Sequence, residues 1–175
     1  FEQIDVPPTL VSFAVSTAKA DKIISTEFKS SDSSVIMITP DYDENGLPVF
    51  SSVKSKFDEV QEIISDGRAN AIWTIGYGGV AEGIAKMCFG NKLGFEFTAK
   101  LSAKQLFTPC YGAFIIELND APRQNELVIG KTLEAYKILN FDYSINLDSL
   151  QRNWESKLES VFPCRIKTTD ATPET

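Results

Sequence analysis

The sequence predicts a layered α+β domain, and three observations carry that reading. Short β-branched-rich runs are interspersed with amphipathic helical stretches, one strand leads through a glycine turn straight into a helix, and the order of elements lacks a strict βαβ rhythm. The missing rhythm argues against a doubly wound parallel sheet. With 175 residues and 43% hydrophobic content, the chain can bury one compact core, and its length suits a single domain.

The elements follow in order. Behind the stiff Pro7-Pro8 pair, residues Thr9 to Ser16 alternate and are rich in β-branched side chains, which predicts a strand; Val35 to Thr39 predicts a second. A polar turn, Asp41-Tyr42-Asp43-Glu44-Asn45-Gly46, then gives way to a helix with Val53, Phe57, Val60, Ile63 and Ile64 on one face, stopped at Asp66-Gly67. Ala71 to Ile75 reads as a buried strand. After the turn Gly76-Tyr77-Gly78-Gly79, the residues Val80, Ile84, Met87 and Cys88 recur at helical spacing up to Gly90-Asn91. Leu93 to Phe97, Ala113 to Leu118 and Leu127 to Leu133 predict further strands, with a short helix over Ala103 to Phe107. Leu147, Leu150, Trp154, Leu158 and Val161 form one stripe of a last amphipathic helix, closed by Pro163.

Composition narrows the function. Seventeen basic residues against twenty-four acidic ones give a net charge of -7, and the Lys and Arg are scattered singly, which argues against a nucleic-acid surface. No apolar run approaches the ~20 residues of a membrane span, and the start Phe1-Glu2-Gln3-Ile4-Asp5 lacks a charged-then-apolar leader. Three cysteines, Cys88, Cys110 and Cys164, lie far apart with no C-x-x-C pair. A soluble, cytoplasmic protein is the expectation. The first residue is not Met and the end, Lys167 to Thr175, is polar, so the sequence reads as a piece of a longer polypeptide.

The sharpest local feature is the strand, turn and helix around Gly76-Tyr77-Gly78-Gly79. Glycines there let backbone approach a ligand while N–H groups at the helix start face it, an arrangement suited to phosphate or carboxylate. The same residues fit a tight turn that needs positive φ or close packing, and an isolated GxGG without the fuller dinucleotide or P-loop pattern weighs towards that second reading.

Other motifs are blander. Asp41-x-Asp43-x-Asn45-Gly46 imitates the opening of a calcium loop, but Ser52 stands where the bidentate Glu is needed and a strand precedes it, so a solvated turn fits better. Glu82 and Lys86 stand four apart on a helix; Lys86 can reach an anion, and a surface ion pair is the commoner outcome. Cys88 and Cys110 sit in apolar stretches, as small buried hydrophobes do, and Trp73 and Trp154 read as core or interface anchors. The sequence has no histidine, which excludes Ser-His and Cys-His nucleophile pairs and His acid–base catalysis within this chain. Nor is there a GxxxxGK[ST] loop or a carboxylate cluster for magnesium, so phosphoryl transfer by this chain alone is not expected.

Several runs together carry a resemblance: Val6 to Val15, Gly76 to Glu82, Lys86-Met87-Cys88-Phe89-Gly90-Asn91 and Tyr111 to Glu117. In order and spacing, across roughly Pro7 to Pro163, they resemble the synthetase part of the phosphoribosylformylglycinamidine (FGAM) synthase family. The resemblance implies that the chain is the AIR-synthase-type C-terminal domain of the second synthetase half. The implied fold is a layered α/β/α arrangement, PurM C-terminal-domain-like and partly ferredoxin-like. Residues 1–18 would be the last strand and linker of a preceding ATP-grasping domain, 19–164 the domain itself, and 165–175 a linker towards a glutaminase domain.

It further implies a part in de novo purine biosynthesis. The intact enzyme would be an ATP-dependent carbon–nitrogen ligase with glutamine as amido donor, turning formylglycinamide ribonucleotide (FGAR), glutamine and ATP into FGAM, glutamate, ADP and phosphate through an iminophosphate attacked by ammonia. ATP and Mg are the cofactors implied for the whole enzyme, with none assigned to this chain. Its partners would be the ATP-grasping and glutaminase domains of the same polypeptide and a small-molecule substrate, not nucleic acid or membrane.

In better-known members the turn reads Asp-x-Ser-Asp-Gly-Gly, its first Asp and Ser associated with magnesium and an auxiliary nucleotide. Here Thr74 and Gly76 hold those positions, Tyr77 replaces the second Asp, and Gly78 and Gly79 are kept. No metal ligand and no catalytic side chain is therefore assigned. Thr74, Gly76, Tyr77, Gly78 and Gly79 are expected to lie beside substrate or nucleotide. The family's Asn-Glu-x-x-Gly run appears as Thr108-Pro109-Cys110-Tyr111-Gly112, without its acidic residue. Alternatives are a purely structural or interaction domain with a degenerate turn, and another AIR-synthase-type enzyme such as selenophosphate synthetase or thiamine-monophosphate kinase.

Overall fold

The structure, a computed structural model, describes residues 7–141, 143–161 and 163. Seven strands form one sheet: β1 (Ser34–Ile38), β2 (Ala69–Thr74), β3 (Gly94–Phe97), β4 (Phe114–Leu118), β5 (Leu127–Leu133), β6 (Lys137–Asn140) and β7 (Tyr143–Asn146). Their spatial order is β2-β4-β1-β5-β3-β6-β7, antiparallel throughout except for the parallel pair β3 and β6. The helices are α1 (Phe50–Ser65), α2 (Gly79–Asn91), α3 (Ala103–Phe107) and α4 (Leu147–Ser156). A mixed sheet with strand neighbours far apart in sequence agrees with the α+β expectation.

Side chains alternate across a strand, so the central strands feed two cores. Val35 and Ile115 point to one face and pack with Val80, Ile84, Met87 and Cys88 of α2, Leu106 of α3 and Leu147 of α4. Ile36, Ile38, Ile116 and Leu118 point to the other, against Val60 and Ile63 of α1. Helices thus cover both faces. The α1 stripe ends as its sequence signals, with Gly67 at φ +68 and the Arg68 N–H donating to the Ile63 carbonyl at 3.0 Å. The calcium-like run is a turn in which the Asp43 carboxylate accepts the N–H groups of Asn45 (2.9 Å) and Leu47 (2.8 Å).

Two expectations need correction, and one hairpin was not expected. Residues Thr9 to Ser16 form no strand; Leu10, Val11, Phe13 and Val15 are exposed, and no ladder partner lies beside them among the described residues. Alternation gives a strand only where a neighbour supplies hydrogen bonds and an apolar face. The last helix stops at Ser156, leaving Leu158 and Val161 in exposed turns. The hairpin β6–β7 went unpredicted because its strands are four residues each and β7 is exposed along its length, so neither shows a half-buried alternation. Residues 1–6, Cys164 and the expected linker over 165–175 lie outside the described residues. No helix among the described residues is long and apolar enough to cross a membrane.

Candidate functional site

At the end of β2, Ile75 is buried and its N–H donates to the Ala113 carbonyl at 2.9 Å, after which the chain leaves the sheet. The Gly79 N–H closes the turn on the Gly76 carbonyl at 3.2 Å. Gly79 has φ +68, and a Cβ there would lie 2.6 Å from the Leu106 carbonyl oxygen and 2.8 Å from that of Thr108. Only glycine allows both the left-handed backbone and this approach, which seats the start of α2 against the last turn of α3.

Glu82 occupies the start of α2 from within. Its Oε2 accepts the Gly78 N–H at 2.9 Å, and its Oε1 meets Lys86 Nζ at 2.6 Å. Lys86 Nζ also lies 5.8 Å from the centre of the Trp73 ring and 5.6 Å from that of Trp154, within cation–π range of both. The Lys86 ammonium first, and the Gly78 amide after it, hold the Glu82 carboxyl below its ordinary value.

Beside the turn lies an apolar cleft of about 790 Å³ between α2, α3 and the β6–β7 hairpin. Ile84, Phe97 and Ile138 line it along with the more exposed Tyr77, Phe107 and Tyr143. Among the described residues, Glu82 is the one carboxylate in its lining, and Asn140 adds an amide. A second cleft of about 520 Å³, lined by Met37, Val80, Lys104 and Cys110 among others, shares Leu101 with the first.

Of the five residues expected beside a ligand, Tyr77 and Gly78 line the larger cleft. Gly79 is buried against α3, Gly76 is half-buried, and Thr74 is the exposed end of β2, paired with Phe114. The hairpin contributes Ile138, Tyr143 and Ile145, which sequence reasoning missed along with the hairpin itself. Glu82 was legible as a helix-surface residue, while its bond to Gly78 depends on how the chain enters the helix. Cys88 is fully buried in the core, and the half-buried Cys110 thiol donates to the Thr108 carbonyl at 3.3 Å.

No family model matches the chain. The phosphoribosylformylglycinamidine synthase subunit PurL of Staphylococcus carnosus is 24% identical over 110 residues, which is 59% of this chain and 15% of that protein. The Thermotoga maritima PurL structure complexed with FGAR superposes with a TM-score of 0.63 at 9% identity, covering 75% of this chain and 30% of that one. The chain is a relative of phosphoribosylformylglycinamidine synthase. The same Thermotoga protein complexed with ATP gives a TM-score of 0.57 at 10% identity, over 90% of this chain and 30% of that one. These structural likenesses carry the fold, and the chain spans less than a third of the PurL proteins it matches.

The side chains of the turn do not fit the magnesium that the resemblance implies for this position. Thr74 and Gly76 offer no carboxylate, and no group of three His, Cys, Asp or Glu among the described residues is arranged to hold a metal ion.

Proposed function

We propose that this chain is the C-terminal, AIR-synthase-type domain of the second synthetase half of an FGAM synthase, with a PurM C-terminal-domain-like, partly ferredoxin-like fold. Residues 19–164 are the domain, 1–18 bring in the last strand and linker of an ATP-grasping domain, and 165–175 lead towards a glutaminase. The cleft carries the reading. An opening of about 790 Å³ lined by Tyr77, Phe107, Tyr143 and Ile145 is apolar surface that a neighbouring domain or a substrate would cover.

In the intact enzyme, FGAR, glutamine, ATP and water would become FGAM, glutamate, ADP and phosphate, with ATP and Mg held by other parts of the polypeptide. This domain supplies no catalytic side chain. It packs on the ATP-grasping domain and walls the cleft, placing Thr74, Gly76, Tyr77, Gly78 and Gly79 near substrate through backbone and the Tyr77 ring. The exposed, unpaired Thr9 to Ser16 run suits a strand whose sheet lies in the preceding domain.

Two measurements test this. The 175-residue chain is expected to show neither synthetase nor glutaminase turnover, and activity above a protein-free control would sink the assignment. In the complete polypeptide, Tyr77→Ala is expected to lower FGAR-dependent turnover several-fold while the protein stays folded. Unchanged kinetics would favour a purely structural domain, the reading that the loss of Asp and Ser at Thr74 and Gly76 supports.

A further inference from the structure

We infer that Glu82 acts as an intramolecular ligand of the Gly76–Gly79 turn and closes the start of α2 to phosphate and other anions. Three observations on different parts of the turn converge on this. The Gly78 N–H, which at a helix start would face an incoming anion, already donates to Glu82 Oε2 at 2.9 Å. The space beside the Gly78 Cα, which a phosphate group would need, is filled by the Glu82 side chain, whose Cδ lies 2.8 Å from where a Cβ would stand. At the next residue, the Leu106 and Thr108 carbonyl oxygens press on Gly79, so the groups that meet the turn there carry partial negative charge.

The cation that would offset a bound phosphate is also committed. Lys86 is bonded to Glu82 Oε1, the oxygen that does not accept the Gly78 N–H, and lies within cation–π range of both the Trp73 and Trp154 rings. An anion entering here would have to displace a charge-assisted hydrogen bond and sit beside a carboxylate that is held below its ordinary pKa. The turn therefore offers the cleft the Tyr77 ring and uncharged backbone edge, a surface for apolar or neutral groups. This inference is independent of the enzyme assignment, because it concerns bonds within this chain.

The test is amide NMR on the 175-residue chain. Titration with inorganic phosphate, and separately with MgATP, is expected to leave the Gly78 and Gly79 amide signals in place; a saturable shift at either would overturn the inference. In Glu82→Ala the Gly78 amide is expected to exchange with solvent at least tenfold faster than in the parent chain, and an unchanged rate would equally overturn it. Should that variant fail to fold, the parent chain still decides. The Gly78 amide shift is expected to follow an ionisation with its midpoint below the ordinary glutamate value of 4.5, and a midpoint at or above 4.5 counts against Glu82 as its partner.

Discussion

Glu117, with no exposed surface in the middle of the sheet, accepts the backbone N–H of Lys29 at 2.8 Å. Its other oxygen takes the Ser30 N–H at 3.0 Å, so one buried carboxylate pins the segment that carries Phe28 into the core, where Phe28 stacks on Phe95 at 5.9 Å. Burying a carboxylate is costly unless donors satisfy it, and here two backbone amides do so. Glu117→Ala leaves both amides without their acceptor and opens a void beside Phe28. We expect a loss of about 2–4 kcal/mol in urea unfolding, read as a lower midpoint at unchanged slope.

The glycine turn separates two residues that look alike in sequence. Gly79→Ala forces a side chain into positive φ and against the α3 carbonyls, whereas a Cβ at Gly76 meets nothing within 4 Å. Thermal melts should show Gly79→Ala destabilised by about 2–4 kcal/mol and Gly76→Ala within about 1 kcal/mol of the parent.

Arg68 ties the β4–β5 loop to the end of α1. Its side chain is 6% exposed and bonds Glu126, 5% exposed, at 2.6 Å and Asp120 at 2.7 Å. Arg68→Met strands the Glu126 charge and is expected to cost about 3–5 kcal/mol at neutral pH. Arg68, and after it the Arg123 amide, hold the Glu126 carboxyl below its ordinary 4.5. A folded value lower than the unfolded one gives stability that is complete above 4.5 and lost as pH falls through the lowered value. The gap between parent and variant should therefore narrow as pH falls from 4.5 through the lowered value, as paired urea titrations would reveal.

The thiols differ in access. Burial pushes both the Cys88 and the Cys110 thiol up, Cys88 further, and Cys88 has no exposed surface. In a Cys164→Ser background, iodoacetamide at neutral pH should label Cys110 at least tenfold faster than Cys88, which reacts only on unfolding. Mass spectrometry of timed digests reads both.

Much of the fold is legible from short-range pattern. Val60 and Ile63 announce the buried side of α1, and Asp66-Gly67 announces its stop. The candidate site is less legible. Its lining comes from Tyr77, Phe107, Ile138 and Tyr143, which lie on four different elements, and no local periodicity links them.

The sequence by itself determined which stretches become helix or buried strand, because hydrophobic spacing and turn chemistry act within a few residues of each other. It also placed glycine where the backbone had to turn left-handed, at Gly79. Tertiary structure alone decided that the same turn sets Tyr77 at the edge of an apolar cleft while Glu82 takes up the Gly78 amide. That outcome depends on the path of the chain into α2 and on the placement of α3 and the β6–β7 hairpin beside it, relations between distant segments that only packing fixes.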